Sequence, residues 1–337
     1  MIGPRPRYIR TMRSMRSTRA MRSLQALTMG IGGVSVAALL PVAMSAPAEA
    51  AALSASGAAV CWSTNTAHRA LATTLSQGIK AAMTGRHDTV AVSVWDPVTG
   101  VYCSVNSSAR FDSASVVKAT IMGAVLLRAQ QQHRGLTRWE SDNLDLMITQ
   151  SDNTAATNLW NSLGRARFAA FLKLTGMTET VPGSGGYWGL TQITAQDEMK
   201  LLNHFTDDHS VLSAGWRAYA LKLMSEVVPS QRWGAPYGTP PGVTAHNKNG
   251  WLPRATHGWR VHSIGIFTGK GKDYRMAVLT DDNPTMDYGV TTIDRIALEV
   301  HRTLGYSTTT TKAAADTPAV PAPGETGDGS APYGAPR

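Results

Sequence analysis

Ser115 and Lys118 stand three residues apart in the stretch FDSASVVKATIMGAVLLRAQ, Phe111 to Gln130. A serine hydroxyl is a weak nucleophile until a base takes its proton, and a lysine whose pKa is lowered by burial can be that base. Val116, Val117, Ile121, Val125 and Leu126 recur at helical spacing, which predicts a buried amphipathic helix over this stretch. Asp112 or Ser113 can cap its start. Residues three apart share a helix face, so hydroxyl and amine can meet, and the helix N-terminus favours negative charge developing near Ser115. A Ser-x-x-Lys spacing arises by chance about once in a chain this long, so further motifs must decide its meaning.

Two such motifs follow. In DLMITQSDNTAATNLW, Ser151-Asp152-Asn153 interrupts a helical pattern running from Leu136 to Leu163. These residue types favour caps and turns over helix interiors, so a break here would aim Ser151 and Asn153 into a cleft. The other Ser-Asp-Asn, at 141–143, reads as a polar helix start. Further on, Lys248-Asn249-Gly250-Trp251 lies in a predicted strand, Val243–Leu252, and Arg260 lies on the next strand. Trp188 and Trp251 suit either a cleft lining or a core. No Gly-x-Ser-x-Gly elbow is present, and Gly183-Ser184-Gly185 sits in an irregular loop. No histidine pair has the spacing of a zinc motif, and two cysteines are too few for a structural zinc site; no metal and no cofactor is expected.

The elements that must position these groups read as follows. A helix is predicted over Ala67–Met83, then strands over Thr89–Trp95 and Val101–Val105 joined by the turn signal Asp96-Pro97-Val98-Thr99-Gly100. After the Ser115 helix and the interrupted helical stretch comes a short helix, Phe168–Leu174, and a glycine-rich loop, Thr175–Thr191. A helix begins at Thr194 with Asp197 at capping-box spacing, and another spans Leu212–Val228. The strand carrying Lys248 is followed by strands over Trp259–Gly269 and Tyr274–Thr280 and a closing helix over Thr291–Leu304. Residues 307–337, rich in Thr, Ala, Pro and Gly, are expected to be a disordered tail.

The first fifty residues read as a targeting segment. Seven arginines from Arg5 to Arg22, an apolar run from Leu24 to Met44, and Ala46-Pro47-Ala48-Glu49-Ala50 form a secretory signal pattern, with cleavage expected after Ala50; an uncleaved anchor is the alternative. The net charge of +9, less seven arginines and plus one glutamate, leaves +3 for the remainder. No basic stripe with interleaved aromatics is present, which disfavours nucleic-acid binding. Contact with membrane is expected only through the signal segment. Cys61 and Cys103 both lie in the exported part, where an even count suggests one disulfide, two free buried thiols being the alternative.

The order of helix, hairpin, Ser115-x-x-Lys118, a helical insert with Ser151-Asp152-Asn153, a strand with Lys248-Asn249-Gly250, two more strands and a last helix resembles the penicillin-recognising serine hydrolases, most closely the class A β-lactamases and their secreted actinobacterial relatives. The resemblance covers about residues 60 to 305. It implies an α+β fold of β-lactamase/transpeptidase type, an antiparallel sheet flanked by helices plus an all-helical lobe. The hydrolase domain would span 51–306, with 113–242 as the helical lobe. It also implies that Ser115 attacks a carbonyl to form an acyl-enzyme and Lys118 accepts its proton. Ser151 would relay a proton to the leaving nitrogen, Asn153 would hold a substrate amide, and Lys248 would support the relay and attract a substrate carboxylate. Backbone N–H groups of Ser115 and Trp251 would form the oxyanion hole, with Asn249, Gly250 and Arg260 at the substrate.

Two departures stand out. Asn249 replaces the threonine of Lys-Thr-Gly, and the Glu-x-x-Leu-Asn pattern of the class A loop is missing, leaving Glu179 as the one candidate acid for deacylation. The resemblance therefore implies a monomeric, secreted hydrolase of β-lactams or related amides. A D,D-peptidase or esterase on peptidoglycan-type substrates, and a catalytically degenerate penicillin-binding protein, are the alternatives.

Overall fold

The valine-rich segments pair into one sheet. A computed structural model of the chain describes residues 60–305 and 326–335; the expected signal segment, 1–50, lies outside the described residues. In chain order the elements are β1 (Cys61–Ser63), α1 (Arg69–Met83), β2 (Thr89–Asp96), β3 (Val101–Val105), β4 (Phe111–Asp112), α2 (Val117–Gln131), α3 (Arg138–Thr149), α4 (Asn153–Leu163), α5 (Arg165–Leu174), β5 (Gln192–Ile193), α6 (Ala195–His204), α7 (Ala214–Ser225), β6 (Thr244–Pro253), β7 (Trp259–Gly269), β8 (Lys272–Asn283) and α8 (Met286–Val300). Six strands form an antiparallel sheet in the order β1-β3-β2-β8-β7-β6, and β4 pairs with β5. This is the α+β arrangement expected from the sequence, with β1 as an added edge strand.

Side chains alternate across the sheet, so its central strands β2, β8 and β7 feed two cores. Val90, Val92 and Val94 of β2, with Met276 and Val278 of β8, face α1 and α8, where they meet Leu75, Ile79, Ile293 and Ile296. Ala91, Ala277 and Leu279 face the other way, joining the core built by α2 to α7 around Ile121, Leu126, Met147, Leu159, Phe171 and Leu201. The β2–β3 turn is held by Asp96, whose carboxylate accepts from the N–H groups of Val98 (2.8 Å) and Thr99 (3.3 Å).

The helix that follows Ser115 begins later than its periodicity predicts. Phe111 and Asp112 pair with Ile193 and Gln192, a 3₁₀ turn covers Ala114–Val116, and the α-helix runs over Val117–Gln131. Ala114 takes a left-handed φ of 47°, so the chain turns sharply between β4 and the helix. Neither expected cap serves. The Ser113 hydroxyl donates to the carbonyls of Ala114 and Gly189, at 3.1 and 3.3 Å. The Asp112 carboxylate lies within 3.3 Å of both Arg254 and Arg260. Helix α2 is buried almost all round, because it runs through the middle of the helical layer, which is the reason its pattern is only weakly one-sided.

Asp112 anchors the link between the Ser115 turn and the sheet. His262 of β7 adds a second tie: its Nδ1 accepts from the Thr280 N–H at 3.1 Å, so Nε2 carries the proton and donates to the Asp112 carbonyl at 2.9 Å. Burial lowers the His262 pKa to about 4, so the imidazole stays neutral in that role at ordinary pH.

Cys61 and Cys103 are directly opposed on β1 and β3 and are joined by a disulfide, which settles the choice the cysteine count left open. The bond closes a loop whose ends are 42 residues apart. Removing it by Cys61→Ser together with Cys103→Ser is expected to lower the unfolding free energy by about 3–4 kcal/mol, measured by urea titration of the oxidised and substituted proteins.

Candidate active site

Ser151 is the meeting point of the site. Helix α3 ends at Thr149, and Asp152 caps α4 by accepting from the Ala155 N–H at 2.7 Å, so Ser151 falls in the break between the two helices, as its polar neighbours predict. There it holds a left-handed φ of 60°, an uncommon conformation for a serine. Its hydroxyl lies 3.0 Å from Lys118 Nζ and 2.9 Å from Lys248 Nζ. Lys118 Nζ also donates to the Ser151 carbonyl at 2.6 Å and to Asn153 Oδ1 at 2.7 Å, and Lys248 Nζ donates to the Asn249 carbonyl at 2.9 Å. Three separate parts of the sequence thus converge on one hydroxyl.

Both lysines are fully buried, and burial disfavours their charged forms. The Lys118 pKa is brought down from 10.5 to about 8, against the upward pull of the Asp328 and Asp152 carboxylates. Lys248 is lowered well below its ordinary range by burial and by the neighbouring Lys118 charge. A lysine held so can accept a proton near neutral pH. The Trp188 ring stands 4.8 Å from Lys118 Nζ, and its Nε1 donates to Thr157 at 3.1 Å, so this tryptophan lines the site.

Ser115 sits at the first turn before α2, one helical turn ahead of Lys118. Its hydroxyl is buried and has no hydrogen-bond partner among the described residues. Its N–H donates to the Asp328 carboxylate at 2.8 Å. Strand β6 approaches this turn closely enough that a Cβ at Gly250 would lie 2.7 Å from the Ser115 nitrogen and 2.8 Å from that of Val116. Glycine is required at 250 because only a bare backbone fits there.

Trp251 lies next along β6, at the outer edge of the sheet. Its carbonyl accepts from the Asp328 N–H at 2.8 Å. A strand residue directs its N–H and C=O to the same side, so the Trp251 N–H also faces the cleft.

Three expected site residues are not brought here. Arg260 is fully buried and pairs with Asp112 at 3.3 Å, bracing the turn instead of facing a substrate. Asn249 is also fully buried: its amide donates to the carbonyls of Gln231 (3.1 Å) and Trp233 (2.9 Å), and its oxygen accepts from Ser263 at 2.6 Å. It ties β6 to the 229–242 loop and to β7. Glu179 pairs with Arg110 at 2.8 Å, each side chain about half exposed. Conversely, Arg254, just past β6, and Asp328 reach the site unannounced by the sequence. Arg254 follows a strand whose edge position composition does not reveal, and Asp328 sits in a stretch whose composition argues for disorder.

A six-stranded antiparallel sheet beside a helical layer, with Ser-x-x-Lys, Ser-Asp-Asn and Lys-Asn-Gly gathered at their junction, defines a protein of the penicillin-recognising serine enzyme superfamily. The chain belongs to the β-lactamase enzyme family, whose family model matches residues 74–139 and 140–304.

Solved structures share the fold. The β-lactamase of Sphaerobacter thermophilus DSM 20745 superposes with a TM-score of 0.59 at 19% identity, covering 69% of this chain and 97% of that one. A mutant of PBP-A, described as an acyl-enzyme complex with penicillin-G, gives 0.59 at 19% identity, covering 69% and 96%. Among curated proteins, the LppW proteins of Mycobacterium bovis and Mycobacterium tuberculosis, whose names propose a lipoprotein, are 27% identical over 196 residues. That match takes in 56% of this chain, and the chain spans about 62% of the length of those relatives.

The tight approach of β6 gives a direct test. Gly250→Ala is expected to destabilise the fold by about 1–3 kcal/mol, because the added methyl must push the Ser115 turn away from the strand; thermal and urea unfolding measure it.

Proposed function

We propose that the protein is an exported serine hydrolase that forms an acyl-enzyme on Ser115 with β-lactams or related amides. The observation that carries this reading is the convergence of Lys118 and Lys248 on the Ser151 hydroxyl, one helical turn from an unpartnered Ser115 hydroxyl. Neutral Lys118 takes the Ser115 proton as Oγ attacks the carbonyl carbon. The developing oxyanion is held by the N–H of Ser115 and that of Trp251, donors fixed in place before the reaction. When the carbon–nitrogen bond breaks, the nitrogen takes a proton from Ser151, whose hydroxyl is re-protonated from the lysines at 2.9 and 3.0 Å. Asn153 holds the substrate amide, and Lys248 attracts a substrate carboxylate.

Deacylation is the weak step in this reading. Glu179 is the one acidic residue between Asn153 and Thr194, and it is turned to Arg110. Without a carboxylate from that loop to activate water, the acyl-enzyme hydrolyses slowly. This favours a penicillin-binding or D,D-peptidase behaviour over rapid β-lactam turnover. Export is supported by the leader pattern, the Cys61–Cys103 disulfide and relatives named as lipoproteins, and no helix among the described residues is long and apolar enough to cross a membrane.

Incubation with penicillin is expected to add one ligand mass per chain, persisting for minutes in intact-protein mass spectrometry and absent from Ser115→Ala. An unmodified wild-type chain after hours at millimolar penicillin overturns the nucleophile; rapid nitrocefin turnover overturns the slow deacylation. Lys118→Ala is expected to slow acylation by about 10²–10⁴-fold. Because the base must be neutral, the wild-type acylation rate should rise with pH through about 8 and level off above it.

A further inference from the structure

Residues 326–335 do not behave as the disordered tail their composition predicts. They lie along the β6 edge and over Ser115. Trp251 Nε1 donates to the Thr326 carbonyl at 3.1 Å, and the Asp328 N–H donates to the Trp251 carbonyl at 2.8 Å. Asn153 Nδ2 donates to the Asp328 carbonyl at 2.7 Å. One Asp328 carboxylate oxygen accepts from the Ser115 N–H at 2.8 Å, and the other from the Ser330 N–H at 2.9 Å. Beyond, Arg254 donates to the carbonyls of Pro332 (2.8 Å) and Ala335, and Ala331 and Ala335 pack against Ala114, Leu190 and Leu252. Glycine flanks Asp328 on both sides. At Gly329 a Cβ would lie 2.9 Å from Asn153 Nδ2 on a backbone with φ of 72°, so a side chain there would break the fit.

We propose that the segment Thr326–Ala335 is a tethered self-ligand of the cleft, an extended peptide whose Asp328 carboxylate occupies the place of a reacting carbonyl oxygen and must withdraw before a substrate reaches Ser115. The proposal rests on the reading of Ser115 as the nucleophile. The pattern of contacts explains why this ligand is held and not cut. The group presented to the Ser115 N–H is a carboxylate, the chemical form of a hydrolysis product and a poor electrophile. The peptide carbonyl of Asp328 is taken by Asn153 instead. With the segment in place, Ser115 is fully buried. The Asp328 charge also favours the protonated forms of Lys118 and Lys248, opposing the burial that readies Lys118 as a base. Twenty residues, 306–325, join the segment to the body, and a tether of that order gives a local concentration near millimolar, enough for a weak peptide to compete.

The test compares full-length wild type, Asp328→Ala and Gly329→Val, the two variants disturbing the segment in independent ways. The second-order rate of labelling by a fluorescent penicillin is expected to rise at least about tenfold in Asp328→Ala, the effect of losing one charge-assisted hydrogen bond, and to rise also in Gly329→Val, whose side chain does not fit against Asn153. A synthetic peptide of residues 326–337 should slow the Asp328→Ala chain saturably, and the same peptide with alanine at 328 should not. Equal rates in all three chains, with Ser115 labelled, overturn the proposal. Hydrogen–deuterium exchange reads docking separately from chemistry. Slow exchange across 326–335 in wild type, lost in Asp328→Ala, supports the self-ligand even if no chain is labelled, an outcome that would sink only the nucleophile. Fast exchange in wild type overturns the self-ligand whatever the labelling shows.

Discussion

Two lysine side chains share one hydroxyl in the interior of this protein, and the rest of the structure is arranged around that difficulty. Lys118 and Lys248 are fully buried and both donate to Ser151 Oγ. A positive charge on one disfavours a positive charge on the other, and burial removes the water that would stabilise either. The result is a depressed proton affinity, which turns an ordinary cation into a base. Lys118 must come from a helix, Lys248 from a strand and Ser151 from a helix break, so the arrangement exists only where the helical layer meets the sheet. The carbonyls of Ser151 and Asn249 and the amide oxygen of Asn153 complete the lysines' contacts without adding a formal charge.

The supports of the site are as specific as its reacting groups. Asp112 draws in Arg254 and Arg260, and His262 holds the Asp112 carbonyl, so the strand before Ser115 is tied to the sheet from two directions. Asn249 performs a related task one residue after Lys248, locking β6 to the loop behind it through Gln231 and Trp233. The Asn249 amide therefore serves the scaffold and leaves the cleft to neighbouring residues. Gly250 then lets the strand lie against the turn that carries Ser115.

The parts of this arrangement readable in sequence are those set by local pattern. The hairpin before Ser115, the helix break at Ser151 and the strand with Lys248 follow from alternation, capping chemistry and motif order. What local pattern does not carry is the destination of a side chain across the fold. Arg260 looks like a strand arginine facing solvent or substrate, and its burial depends on Asp112, 148 positions earlier. Glu179 looks like a candidate acid until Arg110 is seen to hold it at the surface. Asp328 is the clearest instance. A glycine-flanked aspartate among Thr, Ala and Pro has little local reason to order, and apart from the Ser330 N–H its partners are supplied by distant residues.

The six-stranded sheet has two open flanks, and the protein treats them differently. A flank of free N–H and C=O groups invites another chain to add itself as a further strand. On the β1 flank the strand is three residues long and cross-linked to its neighbour, which leaves little for a stranger to extend. The β6 flank is ten residues long and carries Lys248 and Gly250 into the candidate site, so it can be neither shortened nor stapled. The segment 326–335, seated through Trp251 and Arg254, shields part of that flank from intermolecular strand addition.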